Sequence, residues 1–99
     1  MKTMNINGQT FKYTTKDVTY DEAIKQTPKR FKMIDFVDVA FVLRDCSLKD
    51  FPFYFWIKNP EWNKKVWRPV ARGSDYYFGL NADYYNLGAS RGVYVKVQE

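Results

Sequence analysis

Histidine is missing from this 99-residue chain, and cysteine occurs once. The first absence removes the side chain that exchanges protons most readily near neutrality. With it go every Ser-His or Cys-His nucleophilic pair and the usual mixed zinc sites. A lone cysteine excludes an internal disulfide, so a stapled secreted scaffold fits poorly and a reducing cytoplasm fits well. Long apolar runs are lacking too: MKTMNINGQ at the start holds no hydrophobic block, and no run approaches about 20 residues. Neither a signal peptide nor a membrane span is expected.

Chemistry-bearing motifs are equally scarce. The glycines at 8, 73, 79, 88 and 92 stand alone, and no phosphate-loop, zinc or calcium-loop signature is present. Cys46 lies beside Asp45, where neighbouring carboxylates oppose a thiolate and no imidazole can activate it. Asp35, Asp38, Asp45 and Asp50 share no motif that would gather them around Mg²⁺. No metal or cofactor is implied, and the chain reads as non-catalytic. A histidine-free small enzyme is the weakest of the functional readings.

What the chain has in abundance is aromatic area. Eight Phe, eight Tyr and three Trp make 19% of the sequence, and apolar residues in all make 45%. Large planar side chains favour sheets and fill a small core with few residues. The stretch Phe51–Ile57 (FPFYFWI) and the run Phe36–Leu43 (FVDVAFVL) should supply most of that core. Residues 1–99 form a single domain, since no linker or low-complexity tract divides them.

Asn7-Gly8 predicts a hairpin within Met4–Tyr13, because both residues tolerate positive φ. Thr19 and Glu22 have capping-box spacing, which predicts a short helix from Tyr20 to about Gln26, stopping before Pro28. In Phe36–Leu43 apolar residues occupy both parities, the pattern of a strand covered on both faces or bent around a barrel. Asp35 and Asp38 fall on opposite parities, which suggests a bulge.

In Phe51–Lys58, Phe53, Phe55 and Ile57 share one face, and Tyr54, Trp56 and Lys58 share a half-exposed one. Lys64–Arg72 reads as a further strand, with Pro69 marking an edge or interruption. Asn81–Leu87 reads as a helix capped by Asn81, with Gly88 following it. Val93–Gln98 alternates most cleanly of all. The sum is a mostly β, α+β domain: a small antiparallel or mixed sheet curled into a partly closed barrel, with one or two short helices; an open α+β sheet is the second reading.

Sixteen Lys plus Arg against eleven Asp plus Glu leave a net charge of +5. The excess concentrates in Lys58–Arg72, where Lys58, Lys64, Lys65, Arg68 and Arg72 face one acid, Glu61. Trp56, Trp62 and Trp67 are interleaved with them. Cations beside aromatic platforms suit single-stranded nucleic acid, phosphates pairing with Lys or Arg and bases stacking on rings. The leading functional reading is therefore a binding module contacting single-stranded nucleic acid or RNA. Its candidate residues are Trp56, Trp62, Lys64, Lys65, Trp67, Arg68 and Arg72.

The alternative is a small protein-binding factor (an inhibitor, assembly or accessory subunit), because Trp, Tyr and Arg also anchor protein interfaces. Tyr76, Tyr77, Tyr84, Tyr85 and Tyr94 keep a carbohydrate-binding module in view. A second basic group, Lys25, Lys29, Arg30 and Lys32, follows the first helix, where positive charge is favourable on local grounds alone.

Overall fold

The computed structural model describes residues 1–6, 8–45, 54–58, 67–72, 79–84 and 90–97; for 41–45, 67–72 and 79–84 the description is of the backbone. In chain order the elements are β1 (Lys2–Ile6), β2 (Gln9–Tyr13), α1 (Tyr20–Lys25), β3 (Phe31–Met33), α2 (Phe36–Asp45), β4 (Tyr54–Trp56), β5 (Trp67–Arg72), β6 (Gly79–Tyr84) and β7 (Val93–Lys96). Two antiparallel sheets result, one in the order β1-β2-β7-β3 and one in the order β4-β5-β6.

The expected barrel is not formed. In the four-stranded sheet β1 and β3 stand at opposite ends of the order and, among the described residues, do not pair with each other. This is an open, uncurled sheet with two short helices in a mixed β/α fold. The physical reason lies in Phe36–Leu43, which is helical. Asp35 and Asp38 do not form a bulge; they cap α2 reciprocally. The Asp38 N–H donates to Asp35 Oδ1 at 2.9 Å, and the Asp35 N–H donates to Asp38 Oδ2 at 3.0 Å. Two backbone donors at the helix start are thereby satisfied. With that segment helical, the strands fall into one sheet of four and one of three, and neither closes on itself among the described residues.

The first hairpin forms as its turn residues dictate. Ile6 pairs with Gln9 across a two-residue loop, and Gly8 takes a φ of 87°. Helix α1 starts at the Thr19–Glu22 capping box, both hydrogen bonds of which measure 3.1 Å. Strand β7 runs between β2 and β3, so each of its edges is paired. Its neighbours come from distant parts of the chain, which makes it the seam of the sheet.

The sheet carries a core on each side. On one side Ile6, Phe11, Ile34, Val93 and Val95 pack with Val39 of α2 and with Phe55 and Ile57. On the other, Met33 and Tyr94 pack with Tyr20 and Ala23 of α1 and with Trp56. Strand β4 supplies both cores because it lies beside Arg91 at the entry to β7. The Trp56 N–H donates to the Arg91 carbonyl, and the Arg91 N–H donates to that of Tyr54.

Two further expectations are corrected. Asn81–Leu87 is no helix over its described part, since Gly79–Tyr84 is β6, paired along its length with β5. Of the two readings of Pro69, β5 is no edge strand, being the middle strand of its sheet, but an interruption is found, since the described β4 pairs stop at Val70. Among the described residues, pairing between β4 and β5 runs from Tyr54–Arg72 to Trp56–Val70. Pro69 therefore falls one residue past the β4 pairs, where a missing N–H disrupts none of them.

Candidate functional site

The residues singled out by spacing separate in space. Trp56 is fully buried, against the expectation of a half-exposed ring. Its indole N–H donates to the Val18 carbonyl at 2.8 Å, and its ring meets Tyr20 edge-on with centroids 5.9 Å apart. A tryptophan so held has no face left for a ligand, and it leaves the candidate site as a core residue. Tyr54 and Lys58, expected on the same face, are exposed; Trp56 alone is covered there, because it packs with Tyr20 and Ala23 of α1.

Trp62, Lys64 and Lys65 lie outside the described residues. Trp67, Arg68 and Arg72 occupy positions on β5, where Trp67 pairs with Tyr84, Arg68 with Asp83, and Arg72 with Tyr54 and Gly79. Trp67 and Arg68 are thus adjacent strand positions, which belong to opposite faces of a sheet. Of the tyrosines considered for carbohydrate, Tyr94 is buried. Tyr84 ends β6, and Tyr76, Tyr77 and Tyr85 lie outside the described residues.

A different basic surface is assembled by strand register. On the α1 side of the four-stranded sheet the exposed end carries Thr3 and Asn5 of β1, Thr10 and Lys12 of β2, Phe31 of β3 and Lys96 of β7. Met33 and Tyr94 complete that face beneath α1, and no Asp or Glu occupies any of its positions. Phe31 is half-buried and pairs directly with Lys96. The Lys12 ammonium sits 4.9 Å from the centre of the Phe31 ring. Arg30 immediately precedes Phe31, and its carbonyl accepts from the Val97 N–H at 2.9 Å, which ties it to the same end of β7.

Ion pairing distinguishes these cations from their neighbours. Lys32, on the opposite side of the sheet, reaches Asp38 at 3.3 Å and Asp35 at 3.7 Å. Arg91 lies 4.0 Å from Asp17. Lys12, Arg30 and Lys96 have no carboxylate at ion-pair distance among the described residues. The second basic group read from the sequence is therefore split: Lys32 serves the α2 cap, and Arg30 stands beside Phe31. No spacing in the sequence joins Lys12, Arg30, Phe31 and Lys96, because only the register of β2, β7 and β3 brings them together.

One exposed apolar feature lies elsewhere. In the first turn of α2 only Val39 is buried, while Phe36 and Val37 are 41% and 62% exposed and Ala40 is exposed as well. Among the described residues no three His, Cys, Asp or Glu side chains gather as a metal site would need, and no helix is long and apolar enough to cross a membrane. No family model, no curated protein and no solved structure matches the chain.

Proposed function

We propose that the protein is a non-catalytic binding module for single-stranded nucleic acid, acting in a reducing cytoplasm and engaging its ligand through the Lys12–Arg30–Phe31–Lys96 surface. The observation carrying this reading is the set of three cations, unpaired among the described residues, around one partly exposed ring, on a sheet face without carboxylates. Phosphates would pair with the cations, and the exposed part of Phe31 offers a base a flat apolar neighbour. The Thr3 hydroxyl and the Asn5 amide N–H suit sugar and phosphate oxygens, while the Thr10 hydroxyl donates to Asn5 Oδ1 and orients that amide. The basic stretch Lys58–Arg72 supplies further charge to the same class of partner.

Anisotropy of a labelled oligonucleotide, titrated with salt, tests the proposal. Binding should weaken steeply as salt rises. Arg30→Gly and Lys96→Gln should each flatten the log–log slope by roughly 0.7, the value for one lost phosphate contact on a single strand. Replacing Lys64 and Lys65 together with alanine measures the contribution of the second stretch. Absence of association at low salt, or association indifferent to salt, defeats the reading.

The exposed Phe36 and Val37 favour a second reading, a small protein-binding factor. Adjacent apolar side chains on the outer surface of a helix are ordinary anchors for a partner protein. Phe36→Ser with Val37→Ser should then abolish co-purification with one protein from the native cell and leave oligonucleotide binding untouched.

A further inference from the structure

Strand β1 ends the four-stranded sheet, and nothing among the described residues pairs with its outer side. It is regular over its whole length: Lys2–Ile6 pair one-to-one with Tyr13–Gln9, with no bulge and no proline. Sheet edges are commonly guarded by short strands, bulges, prolines or several charges. The opposite edge, β3, has three residues and ends where Asp35 bridges to Lys58. By comparison β1 carries one lysine at its start and no other guard.

The hairpin fixes which backbone groups remain free. A two-residue loop closes on a pair that exchanges both hydrogen bonds, here Ile6–Gln9, and the exchange recurs at every second pair. Met4–Phe11 and Lys2–Tyr13 are then the other bonded pairs. The N–H and C=O of Thr3 and Asn5 point away from β2, two donors and two acceptors in a row.

We propose that this edge pairs antiparallel with the same edge of a second copy of the chain, about a twofold axis at Met4. In that register Thr3 meets Asn5 of the other copy at both ends of the axis, and the four free groups on each side exchange four hydrogen bonds. An antiparallel edge is self-complementary in this way, which is what an isologous interface requires. The side chains agree. Met4, half-buried against the core, meets its counterpart on the apolar side of the sheet. Thr3 and Asn5, both exposed, meet on the polar side. Lys2 lies opposite Ile6 rather than opposite another Lys2, so no like charges are opposed.

The product is one continuous eight-stranded antiparallel sheet. A twofold perpendicular to it keeps both Phe31 surfaces on one face, and the two β2 strands carrying Lys12 stand three strand spacings apart, about 14 Å. The inference stands independently of the nucleic-acid reading. Where both hold, one oligonucleotide can engage two copies at once.

Sedimentation velocity over a concentration series decides the matter. The parent chain should sediment with the mass of two chains at high concentration. Thr3→Lys combined with Asn5→Lys opposes like charges at both ends of the axis and should weaken the dimer roughly tenfold or more. Thr3→Glu combined with Asn5→Lys restores opposite charges in this register alone and should return self-association to the parent level. Thr3 and Asn5 are both exposed, and the one bond lost with Asn5, from the Thr10 hydroxyl to its Oδ1, is exposed too, so thermal melts of dilute samples should be nearly unchanged and loss of fold is separated from loss of pairing. A parent that stays one chain at every concentration, or a double-lysine variant that dimerises as well as the parent, overturns the proposal. So does a charge-swapped variant that fails to recover.

Discussion

The hydroxyl of Tyr94 donates to the backbone carbonyl of Ala23, joining the central strand to the last turn of α1. Ala23 belongs to the helix end whose carbonyls lack intrahelical donors, and the Thr27 N–H that would have served it goes to Ile24 instead. The tyrosine therefore satisfies a buried acceptor. Removing the hydroxyl by Tyr94→Phe should cost about 1–2 kcal/mol in a denaturant melt. Gly92→Ala should cost as much or more: a Cβ there would lie 2.5 Å from the Tyr94 oxygen and 3.2 Å from the Ala23 Cβ. Equal stability of both variants with the parent would refute this account of the seam.

Arg30 has a φ of 68°, in the left-handed region that side chains other than glycine and asparagine rarely adopt. Arg30→Gly should leave stability unchanged or raise it by up to about 1 kcal/mol, whereas Arg30→Val should lower it by about 1–2 kcal/mol. Urea midpoints of the pair check the sign. The glycine variant is for the same reason the clean probe of charge in the oligonucleotide titration, since it keeps the backbone that presents Phe31.

The caps of the two helices invite a paired comparison. Thr19→Ala and Asp35→Ala each remove an acceptor for a first-turn N–H and should cost about 1 kcal/mol. Asp38→Asn should cost less. Burial pushes the Asp38 carboxyl above its ordinary value and the negative charge of Asp35 pushes it the same way, with the Asp35 N–H and Lys32 pulling back. A neutral amide keeps an oxygen for the Asp35 N–H and removes the repulsion. If Asp38→Asn proves as damaging as Asp35→Ala, the two carboxylates are not divided in role as argued here.

Local signals in the sequence were legible where one residue type enforces one geometry. Asn7-Gly8 set the hairpin, Thr19 with Glu22 set the start of α1, and within Val93–Gln98 the residues Val93–Lys96 form the strand that became the seam. Phe36–Leu43 misled because its β-branched valines and two-sided hydrophobicity imitate a doubly covered strand. The overriding feature was Asp35-x-x-Asp38, a reciprocal cap written with two aspartates rather than Ser/Thr and Glu. The apolar face that α2 leaves exposed at Phe36 and Val37 obscured its period further. Trp56 misled for a topological reason: alternation rightly places it with exposed Tyr54 and Lys58, and only the docking of α1 over its ring buries it. The candidate basic surface was illegible in principle, because Lys12, Phe31 and Lys96 are joined by register alone.

Alkaline titration offers a last test of the Tyr94 seam. Burial pushes the Tyr94 phenol up to about 12 from its ordinary value near 10. Burial disfavours the charged phenolate, so the folded chain holds the proton more tightly than the unfolded chain does. Between those two values the native state binds more protons, and stability falls as pH rises. The contribution is complete below about pH 10 and lost on passing about pH 12. Tyr94→Phe has no proton to lose at this position. Its stability should start lower at neutral pH but decline less between pH 10 and 12, so the two curves converge at the alkaline end. Parallel curves for parent and variant would mean that the phenol titrates as freely in the native state as in the unfolded chain, and the burial of the Tyr94 hydroxyl beneath α1 would not survive that result.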